Sequence, residues 1–332
     1  MTEIRLTLDE VMDLALSVLR AAGADEENAG PIARCMWRAE RDGAKSHGLF
    51  RCAGYAGAIR SGKANGRARP RIAETAGSVI RLEGDRGFCP VAHETGLPAL
   101  GALAKEQGVA ALAIRRCLHF AALWPEVETL TDMGLAAMAF TSSPPYVHMV
   151  GGRRKVFGTN PMAFGWPRPG QAPMIFDQAS SLTARGEVMI AARDGHLAPE
   201  GAGIGPDGAP TRDPEAILAG AQSPFGGYKG AALALMVDLL AGPLIGELTS
   251  LEIEAEDDGK GPALGGQLIL AFAPERLGGP DAAAHGGRLF RALLEEEGVR
   301  LPGMRRAATR PLTPTEGVTI PASLHRELVA LC

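Results

Sequence analysis

The sequence predicts a mixed α/β protein: a helical domain contributed by both chain ends, with an α/β domain inserted between them. Three observations predict it. The first 60 residues carry helical apolar spacing with recognisable caps. A polar, glycine-containing stretch at 62–70 separates them from a region where short apolar runs alternate with helical segments. From Ala282 the pattern returns to helix. The chain has 332 residues, of which 46% are hydrophobic. That length suits about two domains, and that apolar fraction is ordinary for a globular core. The boundaries read as 1–65 with 282–332 for the helical domain and 66–281 for the α/β domain.

Thr7-Leu8-Asp9-Glu10 is a capping box, with Glu10 at the third helical position. Leu8, Val11, Met12, Ala15 and Leu19 then follow helical spacing, and Gly23 ends the helix. A second helix starts at Asp25 and runs to about Arg41, near Gly43, with Pro31 as a point of kinking. After the Ser46 segment a third helix runs to about Ser61. Beyond 62–70, Ser78–Glu83 reads as a strand and Pro90–Gln107 as a helix. Val109–Arg115, Leu135–Thr141 and Met174–Asp177 are apolar runs of strand length. Gly226–Leu240 is a helix reached through glycines, and Gln267–Ala273 is a last strand.

Composition excludes several classes. The net charge is −4 and no long Lys/Arg run occurs, which argues against nucleic acid or an anionic membrane surface as partner. Met1-Thr2-Glu3-Ile4-Arg5 has no apolar core of a signal peptide, so a cytoplasmic protein is expected. The most apolar long window, Ala231 to Ile245, contains Asp238 and Pro243, which speaks against a membrane span. Cys35, Cys52, Cys89, Cys117 and Cys332 are odd in number, widely spaced and without C-x-x-C. They read as free thiols in a reducing compartment, with no metal site.

The chemically loudest stretch is Lys45-Ser46-His47-Gly48-Leu49-Phe50-Arg51. On a helix His47 and Arg51 stand at i and i+4, on one face. An imidazole moves a proton near neutral pH, and a guanidinium grips a carboxylate with two parallel hydrogen bonds. That pairing suits an enzyme that protonates a small acid beside its carboxylate. One G-x-G-x-x-G string exists, Gly203-Ile204-Gly205-Pro206-Asp207-Gly208. It follows no strand and opens no helix, so it reads as a surface turn and not as a Rossmann fingerprint. Gly226-Gly227-Tyr228-Lys229-Gly230 precedes a helix whose N-terminus favours anions.

Ordered motifs along nearly the whole chain resemble the malate/L-lactate dehydrogenase-like family of non-Rossmann NAD(P)-dependent oxidoreductases. They are Ser46-His47-Gly48 with Arg51; His119-Phe120; Gly151-Gly152 followed by Phe157-Gly158-Thr159-Asn160-Pro161; Asp177 with Ala184-Arg185-Gly186; Asp207-Gly208 with Pro210-Thr211 and Asp213-Pro214; and Gly226-Gly227-Tyr228-Lys229-Gly230. His119-Phe120-Ala121-Ala122-Leu123-Trp124-Pro125-Glu126-Val127-Glu128 is similar to the branch that reduces cyclic ketimines, Δ1-pyrroline-2-carboxylate to L-proline and Δ1-piperideine-2-carboxylate to L-pipecolate. The resemblance makes the inserted domain NADP-binding and implies NADPH, with NADH the weaker alternative, and a homodimer acting on a small cyclic imino acid.

It also implies roles. His47 is the proton donor and Ser46 its hydroxyl relay, although Ser46 also suits a plain helix N-cap. A helix N-terminus lowers the pKa of a histidine beside it, so His47 needs an anion to stay charged. The family position for that anion falls on Glu187, one methylene longer than the usual Asp, whose alternative is a solvated residue at a strand start. Arg51, Thr159, Arg185 and Gly186 are expected around the substrate, with Trp124 and Pro125 as a flat wall for a ring. His119, Phe120, Ala121, Ala122, Leu123, Asp177, Gln178, Ala179 and Lys229 are expected on the cofactor. Gly303, Met304, Arg305 and Arg306 form a basic loop suited to a 2′-phosphate. The alternatives are a 2-ketoacid reductase of malate/L-lactate or ureidoglycolate dehydrogenase type, and a non-catalytic nucleotide-binding protein.

Overall fold

The computed structural model describes residues 2–256 and 264–332; Met1 and 257–263, which fall in the two expected domains, lie outside them. The chain ends are stitched together, because β1 (Glu3–Leu6) pairs antiparallel with β14 (Val318–Pro321). The capping box forms before α1 (Leu8–Ala21): Thr7 Oγ1 accepts the Glu10 N–H, and the Glu10 carboxylate accepts the Thr7 N–H. Asp25 caps α2 (Glu26–Arg41), which runs on through Pro31. With α3 (Cys52–Arg60) and α14 (Ala322–Val329) these helices bury one apolar cluster, including Val18, Leu19, Ile32, Met36, Tyr55, Ile320 and Leu328.

The C-terminal share of this group differs from the expected 282–332. β14 and α14 join the apolar cluster of the N-terminal helices, and Arg310 and Thr313 bind the end of α2 through the Asp42 carboxylate and the Arg41 carbonyl. The helix α11 (Ala282–Leu294) lies instead against the central sheet: Trp166 Nε1 donates to the Ala283 carbonyl at 3.2 Å, and Arg168 stacks on Phe290. The stretch 62–70 is docked. The Gly66 carbonyl accepts the Asp25 N–H, and the Ala68 carbonyl accepts Asn28 Nδ2.

A seven-stranded sheet forms the middle of the molecule. Its order is β2 (Arg71–Ala76), β3 (Val79–Glu83), β4 (Val109–Leu118), β13 (Leu264–Phe272), β5 (Ala136–Thr141), β8 (Met162–Trp166) and β9 (Met174–Gln178). Only β3–β4 is a parallel pair within it, so this is no Rossmann sheet. Strand period two sorts the side chains to opposite faces. Leu112, Ile114, Ala137, Ala139, Ile269 and Ala271 pack with α4 (Cys89–Gln107) and α5 (Trp124–Asp132). Phe140, Met162 and Leu268 pack with Val237 and Ala241 of α8 (Tyr228–Ala241).

A second, small sheet joins β6 (Val147–His148), β7 (Lys155–Phe157), β10 (Gly203–Ile204), β11 (Pro210–Thr211) and β12 (Ala221–Gln222). Of the Gly203–Gly208 string, Gly203 and Ile204 form β10 and Gly205–Gly208 belong to the hairpin turn that leads to β11. The short helices are α6 (Arg185–Asp194), α7 (Pro214–Ala219), α9 (Ser250–Ala255), α10 (Pro274–Gly278), α12 (Met304–Thr309) and α13 (Thr313–Glu316).

The expectation of five free thiols is corrected. Cys89 and Cys117 form a disulfide, with Cα atoms 5.7 Å apart; Cys35, Cys52 and Cys332 are free. The cause is a parallel bridge between Phe88 and Leu118 that sets the two cysteines side by side. Among the described residues no cluster of His, Cys, Asp and Glu is arranged to hold a metal ion. One helical stretch, Tyr228–Ile245, is apolar and long enough to cross a membrane by length and composition alone. Its Asp238 is buried and accepts the Ser250 hydroxyl at 2.8 Å.

Candidate active site

Strand ends and helix starts converge on a cavity of about 650 Å³. His47 and Arg51 reach it from the segment between α2 and α3. They are not on one helix face. Residues 45–47 and 49–51 are separate 3₁₀ turns broken at Gly48, where a Cβ would collide with the Glu40 carboxylate. The buried Glu40 carboxylate accepts the Leu49 N–H at 2.8 Å, and burial pushes its pKa up to about 7. Ser46 makes no helix cap. Its Oγ lies 3.2 Å from His47 Nδ1, and its carbonyl accepts Arg51 Nε at 2.8 Å. Arg51 also stacks on Phe120, 4.5 Å from the ring centre. A Cβ at Gly186 would sit 2.9 Å from Arg51 Nη2, so glycine is what lets α6 start beside the guanidinium.

The pKa of His47 is pushed down to about 3. Burial is the main cause, followed by the positive charge of Arg51 and by His119. The start of α6 packs beside Ser46 and Arg51, and the expected anion, Glu187, acts on Arg51 through its charge but does not line the cavity. Glu187 occupies the third position of α6, where it is exposed and does not line the cavity. Its expected place at a strand start is likewise corrected to a helix. The carboxylate that lines the cavity is Asp177. Its Oδ2 accepts the backbone N–H groups of Leu123 and Trp124 at 2.8 and 3.1 Å, and burial raises its pKa to about 6. Asp177 therefore holds the start of α5, and with it the 119–124 segment.

His119, Phe120, Ala121, Ala122 and Leu123 all line the cavity, as do Gln178, Ala179, Thr159, Arg185 and Gly186. Thr159 is set by its neighbour Asn160, which takes a left-handed φ of 35° and donates Nδ2 to the Ala234 carbonyl. Arg185 stacks on Tyr146 at 3.9 Å. Trp124 forms a wall, edge-on to His47 at 6.5 Å, with Arg306 over its ring at 5.0 Å. The expected basic loop is corrected to the start of α12, with Gly303 at its cap; of these residues Arg306 alone lines the cavity, and Gly303, Met304 and Arg305 do not. Lys229 is exposed and also outside its lining.

Sequence reasoning missed Ser142, Ser143 and Tyr146, which line the same space. A hydroxyl-rich run directly after the buried strand β5 was the available signal. Ser142 Oγ and Trp124 Nε1 are buried without a hydrogen-bond partner. Buried polar groups are normally satisfied, so these two cavity-lining residues keep hydrogen-bonding capacity that a polar ligand can use. Two orphaned hydrogen-bonding groups, three cavity arginines and a stretch of small residues fit the amide and phosphate chemistry of a pyridine nucleotide beside a small acid.

The profile of the malate/L-lactate dehydrogenase family matches residues 6–329, and the chain belongs to that family. It is 49% identical to a Δ1-pyrroline-2-carboxylate reductase from Ancylobacter novellus, over 99% of this chain and 97% of that protein. It is 46% identical to a Δ1-pyrroline-2-carboxylate/Δ1-piperideine-2-carboxylate reductase from Pseudomonas aeruginosa, over 99% of both. The crystal structure of Δ1-piperideine-2-carboxylate reductase from Pseudomonas syringae superposes with a TM-score of 0.93 at 38% identity, covering 99% of this chain and all of that one. The protein is thus an oxidoreductase of a pyridine-nucleotide-dependent family.

Proposed function

We propose that this chain reduces cyclic ketimines that carry a carboxylate: Δ1-pyrroline-2-carboxylate to L-proline and Δ1-piperideine-2-carboxylate to L-pipecolate. The observation that carries the reading is the meeting of His47, Arg51 and Trp124 in one cavity. When bound, the reduced nicotinamide supplies the hydride. Arg51 is the buried cation suited to the substrate carboxylate, and Trp124 offers a flat apolar face to the ring. His47 protonates the imine nitrogen, which makes the adjacent carbon electrophilic. In the free protein Arg51 helps keep His47 uncharged. A bound carboxylate offsets that charge, so the substrate itself replaces the anion that Glu187 does not supply.

NADPH is the proposed cofactor. The inward Arg306, with Arg305 beside it in the chain, supports a 2′-phosphate partner. His119 to Leu123, Gln178 and Ala179 supply small side chains and backbone along the cavity wall. A homodimer is supported by the unpartnered apolar face of α8 and the turn after it, where Leu235, Leu239 and Leu244 are exposed. The test is loss of NADPH absorbance with each imine, against pyruvate and oxaloacetate, with NADH as second cofactor. Higher kcat/KM on the imines supports the reading; preference for a ketoacid replaces it with ketoacid reduction.

A further inference from the structure

Glu126 is 2% exposed and has no role in the mechanism above. It lies on α5 beneath the cavity wall, in a buried polar chain. Gln267 Nε2 donates to Glu126 Oε1 at 2.5 Å, and Gln267 Oε1 lies 2.6 Å from His93 Nε2. On its other side, Glu126 Oε1 lies 3.5 Å from His119 Nε2. That nitrogen is sealed from solvent and makes no hydrogen bond, so the Glu126 carboxyl is the acidic group nearest to it without being bonded to it, while the same His119 lines the reaction cavity. Glu126 also borders a second cavity of about 250 Å³ between α2, α4 and α5. The groups facing Glu126 are His93, Gln267, His119, Arg38, Cys35, Tyr55 and Asp177. None is a lysine or arginine in contact with its carboxylate among the described residues, so the carboxyl is buried with hydrogen bonds but no full counter-charge.

A carboxyl in that setting favours its protonated form, and burial indeed raises the Glu126 pKa while holding that of His119 near 4. Facing a neutral imidazole, a protonated carboxyl is a store of one transferable proton. The reduction needs such a store. Each turnover forms one C–H bond from the hydride and one N–H bond from a proton, and His47 is held neutral in the free protein. A neutral imidazole that gives up its only N–H proton is left as an unstable anion, so His47 must be supplied.

We propose that Glu126, acting through His119, is the proton store that supplies the reaction cavity. The Glu126 O–H bond breaks as the His119 Nε2–H bond forms, giving a carboxylate and an imidazolium. The imidazolium then loses its Nδ1 proton into the cavity, toward His47. After product leaves, a solvent proton returns to Nδ1 and the Nε2 proton returns to Glu126, so both groups end as they began. Glu126 is a positioning residue in this scheme, since it never touches substrate.

The inference rests on the reductase reading, and the experiment separates the two. Wild type and Glu126→Gln are assayed with NADPH and Δ1-pyrroline-2-carboxylate over a range of pH, in water and in D₂O. Gln keeps the acceptor for Gln267 but stores no proton. The expected result is a kcat lower by roughly 10- to 100-fold, with NADPH affinity and imine KM within about threefold. It also includes a larger solvent isotope effect and partial rescue by imidazolium buffer. Unchanged kcat, pH profile and isotope effect in a folded Glu126→Gln protein overturn the proposal. Where that variant does not fold, His119→Gln is measured in the same way, corrected for its NADPH affinity. The same fall in kcat and rise in isotope effect then support the proposal, and unchanged values overturn it. An inactive wild type overturns the reductase reading instead.

Discussion

Replacing Arg51 by Gln tests the substrate grip. Arg51 is held by the Ser46 carbonyl at 2.8 Å and by stacking on Phe120, so the guanidinium is ordered before substrate arrives. A two-pronged grip on a carboxylate comprises two charge-assisted hydrogen bonds, each contributing about 1.5–3 kcal/mol. Losing both costs about 3–6 kcal/mol, or roughly two to four and a half orders of magnitude in kcat/KM. Most of this is expected in KM, because the grip is the same in the bound and transition states. The kcat should fall less than tenfold. With Arg51 gone, an unpaired substrate carboxylate favours a charged His47, and the cation that suppresses it is also gone. Arg51→Lys keeps the charge but loses the fork and the stacking, and is expected about tenfold below wild type. Steady-state NADPH oxidation against imine concentration measures both constants. A KM within threefold of wild type in a folded Arg51→Gln protein refutes the grip.

Three other outcomes are expected. His47→Ala lowers kcat by roughly 10²- to 10⁴-fold with little change in KM; single-turnover NADPH oxidation checks it, and near-normal turnover removes His47 from the chemistry. Glu40 has a folded pKa of about 7 against an ordinary value of 4.5, so the folded state binds the extra proton between those values. Its contribution is present below pH 4.5 and is lost as pH rises through 7, up to about 3 kcal/mol. Glu40→Gln should therefore gain stability relative to wild type between pH 4 and pH 8, measured by denaturant unfolding; a pH-independent difference contradicts this. Arg306→Met is expected to raise the KM for NADPH about tenfold and leave that for NADH nearly unchanged; equal effects on both remove the 2′-phosphate role.

Local physics was legible in the sequence. The Thr7–Glu10 capping box formed, and the apolar runs at 109–115, 135–141 and 267–273 became adjacent strands because burial on two faces demands such runs. The strand β2 (Arg71–Ala76) carried no signal because every residue of it is exposed. The helix α5 was hidden because its start is capped by Asp177, more than fifty positions away. The same non-locality concealed the Cys89–Cys117 bond and placed α11 against Trp166 at the end of β8.

The candidate site divides likewise. His47 and Arg51 were found by their chemistry, but the reason for their meeting is a Gly48 break pressed on Glu40, and no helical face. Glu187 and Lys229 were carried over by motif position, and the path of α6 and α8 leaves both outside the cavity. Ser142 and Tyr146 carried no motif at all. Their place is set by where β5 ends.

The central claim is hydride addition to an imine carbon, and the most direct measurement follows that atom. Wild-type protein is given Δ1-pyrroline-2-carboxylate and NADPH carrying deuterium at the transferable position, and the product is examined by mass spectrometry and NMR. The account predicts L-proline with one non-exchangeable deuterium at Cα. Unlabelled imine returned intact, alongside deuterated lactate or malate when a ketoacid is offered, contradicts it.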